Sequence, residues 1–279
     1  MVRKEVVLLC MVFAGATAGA QPEQAAADRT AAEQVWQRML AAKGDASSVR
    51  ALRITTMRSS LFALKPEAVQ VVMTQLPEHW WWYFEEPKPL LDGLRVLDLR
   101  KGTGWEWGAS QQHVEKLDGR HLDWGAVIEA RTLAVLFGAL GEFQPEPVST
   151  EVFHEGFAIR DRVTLRWRDY TLVYDLDRKS HLPIRVDMQR MLPAHDHTAH
   201  PLGKEPVTRH FPERVSHEVY VMAGYHMLGS VMVPSRVQSF GAWSRWVVDI
   251  NPPLDPILFT EEPRTIAGAA GWHRFAGTQ

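Results

Sequence analysis

Apolar residues recur along this chain in two rhythms, a helical one near its start and an alternating one over most of its length. Ala32, Val35, Trp36, Met39 and Leu40 fall at three- and four-residue spacing, which is one face of an α-helix. Thr30 with Glu33 three residues on has the form of a capping box, so the helix is predicted to start there and to end at Gly44. Strands are predicted next over Leu52 to Ala63, Val69 to Thr74 and His79 to Phe84, the last two hinged at Pro77. Leu94 to Leu99 and Gly104 to Gly108 follow as short strands around a turn at Lys101-Gly102-Thr103. A second helix is expected from Asp123 to Gly141. It is apolar nearly all round, which predicts a buried helix.

From Val152 onward the pattern is almost entirely β: Val152 to Arg160, Val163 to Trp167, Thr171 to Asp175, Pro183 to Gln189, Glu218 to Met222, Ser230 to Phe240 and Trp243 to Asp249. Tight turns such as Asp177-Arg178-Lys179-Ser180 separate them. Consecutive strands joined this closely must be antiparallel, because a parallel return needs a crossover of a dozen or more residues. Two helices against about ten antiparallel strands make an α+β domain with helices on one face of the sheet. Met191 to Arg214 departs from the pattern: it holds four Pro and four His without a period and reads as a long loop, 191–214. With no repeat and no flexible linker, residues 21–263 read as a single domain and 264–279 as a tail.

The first residues change the picture of where the chain works. Arg3 and Lys4 precede an apolar run from Val6 to Ala16, and Ala18-Gly19-Ala20 supplies small residues for cleavage. This predicts a secretory signal over residues 1–20, cut after Ala20, and hence an exported, periplasmic protein. As a helix the apolar run would span about 17 Å, short of the roughly 30 Å bilayer core. Cys10, the one cysteine in the sequence, lies inside that run and follows Leu9, where a lipoprotein signal needs a small residue. Its removal would leave a chain without disulfides or thiolate metal sites. A formal charge of −2 from 31 basic and 33 acidic residues gives no electrostatic footprint for nucleic acid.

Several segments together resemble the outer-membrane lipoprotein carrier (LolA/LolB-like) superfamily. They are the helix ending Ala-Ala-Lys-Gly followed by Val49-Arg50-Ala51-Leu52-Arg53, the turn and strand Gly104-Trp105-Glu106-Trp107, and Tyr174-Asp175-Leu176-Asp177 with Leu182-Pro183-Ile184-Arg185-Val186. The closing stretch Val233-Pro234-Ser235-Arg236, then Asn251-Pro252-Pro253-Leu254-Asp255 and Leu258-Phe259, is similar as well. A divergent member of that family would have a strongly curved antiparallel sheet, an incomplete β-barrel, with helices covering the concave face around an apolar cavity. The resemblance implies a non-catalytic carrier or chaperone for a lipid or a lipoprotein acyl chain, monomeric, with a membrane-associated handover partner. The 191–214 loop and the tail lie outside the family's pattern.

Candidate chemistry is mostly apolar. In the run Trp80-Trp81-Trp82-Tyr83-Phe84, strand alternation puts Trp80, Trp82 and Phe84 on one face and Trp81 and Tyr83 on the other. These aromatics are either core or the walls of a hydrophobic pocket, joined in the second case by Trp105, Trp107, Trp243 and Trp246 and by Leu133, Leu136, Phe137 and Leu140 of the second helix. If the interior is filled, the protein is instead a structural or adaptor protein. The sharpest polar cluster is His195-Asp196-His197 with His200 and, further on, His210. Its alternative to a solvated loop is a divalent metal site on His195, His197 and His200, in a metal-binding protein or a metal-dependent hydrolase.

Enzyme signatures fail residue by residue. His154-Glu155 lacks a His three residues after the Glu, Ser110 lacks a Gly two residues on, and Ala267-Gly268-Ala269-Ala270-Gly271 lacks the Lys of a phosphate loop. With these signatures absent, the expectation is the non-catalytic carrier that the resemblance implies, with no catalytic residues and no cofactor unless the His195 to His210 segment holds a divalent metal.

Overall fold

The computed structural model describes residues 22–44, 54–62, 65–75, 79–85, 93–98, 101–108, 114–117, 145–199, 207–239 and 241–250. Helix α1 runs Pro22–Lys43, and fifteen strands follow: β1 Ile54–Phe62, β2 Lys65–Gln75, β3 His79–Glu85, β4 Gly93–Asp98, β5 Thr103–Gly108, β6 Val114–Leu117, β7 Glu146–Glu155, β8 Ala158–Trp167, β9 Tyr170–Asp177, β10 Pro183–Leu192, β11 His195–Ala199, β12 Val207–Phe211, β13 Arg214–Leu228, β14 Val231–Ser239 and β15 Ala242–Ile250. Thirteen of them form one antiparallel sheet in the order β6-β5-β4-β3-β2-β1-β15-β14-β13-β10-β9-β8-β7. Its two ends, β6 and β7, do not pair, so the sheet is open, and the α+β expectation holds. No helix among the described residues is long and apolar enough to cross a membrane. The second helix expected from Asp123 to Gly141, the signal and the tail lie outside the described residues.

The first helix begins eight residues before its expected cap. Pro22 opens it, a position where proline's missing N–H costs nothing. Thr30 sits mid-helix and its hydroxyl donates to the Ala26 carbonyl at 3.0 Å, while Glu33 accepts from Gln37 Nε2 at 2.6 Å. The apparent capping box is thus two ordinary one-turn contacts on the exposed face.

α1 crosses the sheet rather than running along a strand. Arg29 pairs with Glu146 on β7, and at the other end Gly44 makes a bridge to Val231 on β14. From Arg29 to Gly44 the helix rises about 22 Å, and the five strand spacings from β7 to β14 add to about 24 Å. Its backbone comes close to β7, β8 and β14, so it spans the hollow of a concave sheet as a chord. Large side chains fill the gap over β9, β10 and β13. Gly44 ends the helix with φ 139° and lies so close to the strand that a Cβ would stand 2.1 Å from the Ser230 carbonyl oxygen. Any side chain there would push the helix end off β14.

The core face follows from strand register. Val163 opposes Tyr174, which opposes Val186, which in turn opposes Tyr220; Leu165, Leu172 and Met188 form a second row. All seven are 7% exposed or less. The opposite face carries charge, with Glu151, Arg162, Asp175 and Arg185 in line across β7 to β10. On β13 the alternation breaks at Gly224, whose φ of 66° turns the chain so that Tyr225 and Leu228, after buried Met222, also pack on the core.

Two expectations are corrected here. Val152 to Arg160 is not one strand: Glu155 opposes Ala158, and a two-residue turn at Gly156-Phe157 joins β7 to β8. Phe157 at this tip is fully exposed, so its apolar character disguised a turn as strand interior. Within 191–214 the described residues form a ribbon rather than a loop: β10 and β13 pair out to Leu192 opposite Arg214, and β11 pairs with β12 beyond them. On β12, Val207 to His210 are all exposed, so no alternation marked it. The short β6 had no signal either.

The Asp177 turn behaves as the sequence predicts. Its carboxylate accepts from Ser180 N at 2.7 Å, Ser180 Oγ at 2.8 Å and Lys179 N at 3.1 Å. The Ser180 amide and hydroxyl, outweighing burial, hold its pKa below the ordinary carboxylate value. A depressed carboxylate stabilises the fold above its unfolded pKa and loses that contribution as pH falls through its folded pKa. Asp177→Ala is expected to cost roughly 1–2 kcal/mol at pH 7 and nothing further in acid. Urea denaturation at pH 7 and pH 3 checks this: the gap between wild type and variant should narrow at the lower pH.

Candidate functional site

The concave face is built in two halves. Under α1, Ala32, Val35, Trp36, Met39 and Lys43 point to the sheet and are 7% exposed or less. The Trp36 ring meets Tyr174 at 5.9 Å between centroids and 48° between planes. Lys43 follows Met39 on the same stripe, one turn further on, and is 1% exposed. Its amine lies 5.2 Å from the centroid of the Tyr225 ring, and burial lowers its pKa from 10.5 to about 7. The Tyr225 hydroxyl donates to the Pro183 carbonyl at 2.7 Å. Burial raises the Tyr174 phenol, and burial with the neighbouring Tyr174 raises Tyr225, so both stay neutral and act as apolar walls with a polar rim.

The other half lies on β3 to β6. Trp80, Leu97 and Leu117 belong to the same core as α1, aligned by the pairs Trp80 with Leu97, Leu97 with Gly104 and Gly104 with Leu117. Trp81, Leu94 and Val96 on the reverse face are also buried, each 1% exposed. The sheet is therefore covered on both faces at this point. Arg95 and Glu106, on the Leu97 side by register, form an ion pair at 2.6 Å.

The aromatic candidates do not all share one surface. Trp80 and Trp246 lie on the core side. Trp105 pairs with Val96 in register, on the Trp81 side, with Lys116 5.7 Å above its ring. Trp243 lies on the reverse face from Trp246, three residues away in the strand, with the Arg236 guanidinium 4.9 Å above it. The side chains of Trp82, Phe84 and Trp107, and the whole of Leu133, Leu136, Phe137 and Leu140, lie outside the described residues.

For the metal candidates, Asp196 and His210 face each other across β11 and β12, Nδ1 to Oδ1 2.7 Å, and both are well exposed. This contact occupies the carboxylate nearest the histidines. His200 and the side chains of His195 and His197 lie outside the described residues, among which no group of three or more metal-ligating side chains converges.

Sequence reasoning missed Lys43, Tyr174 and Tyr225. A signal for Lys43 was present: it continues the apolar stripe one turn past Met39, just before the glycine that ends the helix. Tyr225 had none, since its burial depends on the Gly224 twist.

No protein-family model matches the chain, and no curated protein matches it. Among solved structures it is similar to a LolA superfamily protein from Nitrosomonas europaea, 10% identical, over 82% of this chain and 97% of that one, with a TM-score of 0.42. It is also similar to the MucA/MucB complex structure of Pseudomonas aeruginosa, 12% identical, over 80% of this chain and 94% of that chain, with a TM-score of 0.25.

Proposed function

We propose that this chain is an exported, periplasmic carrier or chaperone that holds an apolar ligand, a lipid or a lipoprotein acyl chain, against the concave face of its open sheet and passes it to a membrane-associated partner. One observation carries the reading: the apolar face runs from β6 to β7, whereas α1 lies over the β7 to β14 part only. The stretch around Trp80, Leu97 and Leu117 is nonetheless 6% exposed or less, and the helix expected from Asp123 to Gly141 is apolar enough to be the second cover. An acyl chain between that helix and the sheet would gain about 25 cal/mol per Å² of apolar surface removed from water. It would need few polar contacts, in keeping with the absence of a catalytic motif.

The test is direct. Delipidated protein titrated with a fluorescent fatty acid should show saturable uptake, weakened about tenfold or more by Phe137→Glu, because a buried unpaired carboxylate on the second helix is costly. Absence of saturable uptake at any concentration removes the carrier reading and leaves a filled scaffold.

A further inference from the structure

We propose that the end of the sheet where β7 turns into β8, β9 into β10 and β13 into β14 is a membrane-docking edge: Phe157 enters the interface of an anionic phospholipid bilayer while Lys179 meets its headgroup phosphates. Register brings the three turns level. Arg162, Asp175, Arg185 and Val221 form one row across β8, β9, β10 and β13. Phe157, Lys179 and Met227 lie five, four and six residues from that row, all on the same side of it. Neighbouring turns are two strand spacings apart, about 10 Å.

Folding does not call for a phenylalanine at this tip. Gly156 and Phe157 are the two residues of the β7–β8 turn, and Gly156, with φ 59°, supplies the positive angle that the first position needs. The second position points into water and ordinarily carries a polar residue; here it carries a fully exposed phenyl ring. A Cβ placed on Gly156, or on Gly229 at the β13–β14 tip, would meet nothing within 4 Å, so both tips stand clear of the described residues around them. Met227, close to Gly229, is more than half exposed, and Val152 and Ile159 behind Phe157 are each about half exposed. Charge points to the occupant. Asp177 is turned back onto Ser180 and the Lys179 amide, Asp161 holds Arg178 at 3.1 Å, and Glu155 holds Arg160 at 2.8 Å. The exposed Lys179 ammonium is then the outermost charge of its turn. Apolar side chains on separate tips, with a lysine between them, do not form the contiguous patch that a protein partner desolvates. A bilayer interface takes each separately, the ring at the boundary of headgroups and acyl chains and the ammonium at the phosphates. This docking does not depend on what the concave face holds.

Co-sedimentation with vesicles of phosphatidylethanolamine and phosphatidylglycerol at low salt reads the docking. Wild type should bind, Phe157→Ser about tenfold more weakly and Lys179→Ala about fivefold more weakly, both with unchanged circular dichroism because neither side chain packs on the core. Wild type that stays in the supernatant, or either variant binding as well as wild type, overturns the proposal. A dimer in vesicle-free solution that Phe157→Ser dissolves also overturns it and assigns the tip to a second copy. Fatty-acid uptake measured without vesicles should be the same in wild type and both variants, so failure of the carrier reading and failure of this one are seen separately.

Discussion

Trp36→Ala is expected to lose about 3–5 kcal/mol of folding stability, toward the upper end of that range. Trp36 is 4% exposed and stacks obliquely on Tyr174 in the middle of the chord that α1 makes across the sheet. Truncating a large buried ring costs its transfer free energy and, in addition, the dispersion attraction between the ring and the walls of the hole that remains. How much is recovered depends on whether the walls can close in. Here they cannot close far, because the helix is pinned at one end by Arg29 to Glu146 and at the other by Gly44 against Ser230 and Val231. Gln37→Ala, one residue along on the exposed face, removes only the hydrogen bond to Glu33 and should change stability by less than about 0.5 kcal/mol. Urea denaturation of both variants measures the difference. A loss under about 1 kcal/mol for Trp36→Ala would mean that α1 is not held against the sheet in solution.

Trp36 was legible in the sequence as a core residue because a helix facing a sheet keeps a three- and four-residue period. The same period placed Ala32, Val35 and Met39 correctly. Thr30 was misread because a hydroxyl three residues before a glutamate looks alike at a cap and within a helix; only the Pro22 start distinguishes them. On the sheet, strands with one buried face were found, whereas the ribbon of β11 and β12 was not, since β12 is exposed on both faces from Val207 to His210 and so shows no alternation. The pocket aromatics were found as residues but not as a surface. Alternation within Trp80 and Trp81 is local, but whether Trp105 sides with one or the other depends on the register of β3, β4 and β5, which no local pattern carries. Lys43 escaped because a lysine is assumed to be solvated, and its burial is a property of where the helix ends on β14.

The reverse face makes the second large prediction. Asp175→Ala is expected to cost about 3 kcal/mol, although the aspartate is on the side of the sheet away from the core. Asp175 is 2% exposed and receives Arg162 in bidentate fashion, Nε to Oδ1 at 2.6 Å and Nη2 to Oδ2 at 3.2 Å. The guanidinium also reaches Glu151 at 3.3 Å and lies 3.6 Å from the centroid of the Phe153 ring. Strand register aligns these groups, so the fork meets the carboxylate with little rearrangement. Removing the carboxylate leaves a largely desolvated cation with Glu151 alone, which at that distance and exposure compensates weakly. Replacing both members, Arg162→Met with Asp175→Leu, removes the stranded charge and should cost less than the sum of Arg162→Met and Asp175→Leu alone. The coupling in that double-mutant cycle is expected at about 2 kcal/mol. Strictly additive losses would show that the pair is a surface contact worth little. A large coupling would mean that this charged row, and not apolar burial alone, fixes how β7 and β8 sit against β9, and with them the sheet edge on which the N-terminal half of α1 rests.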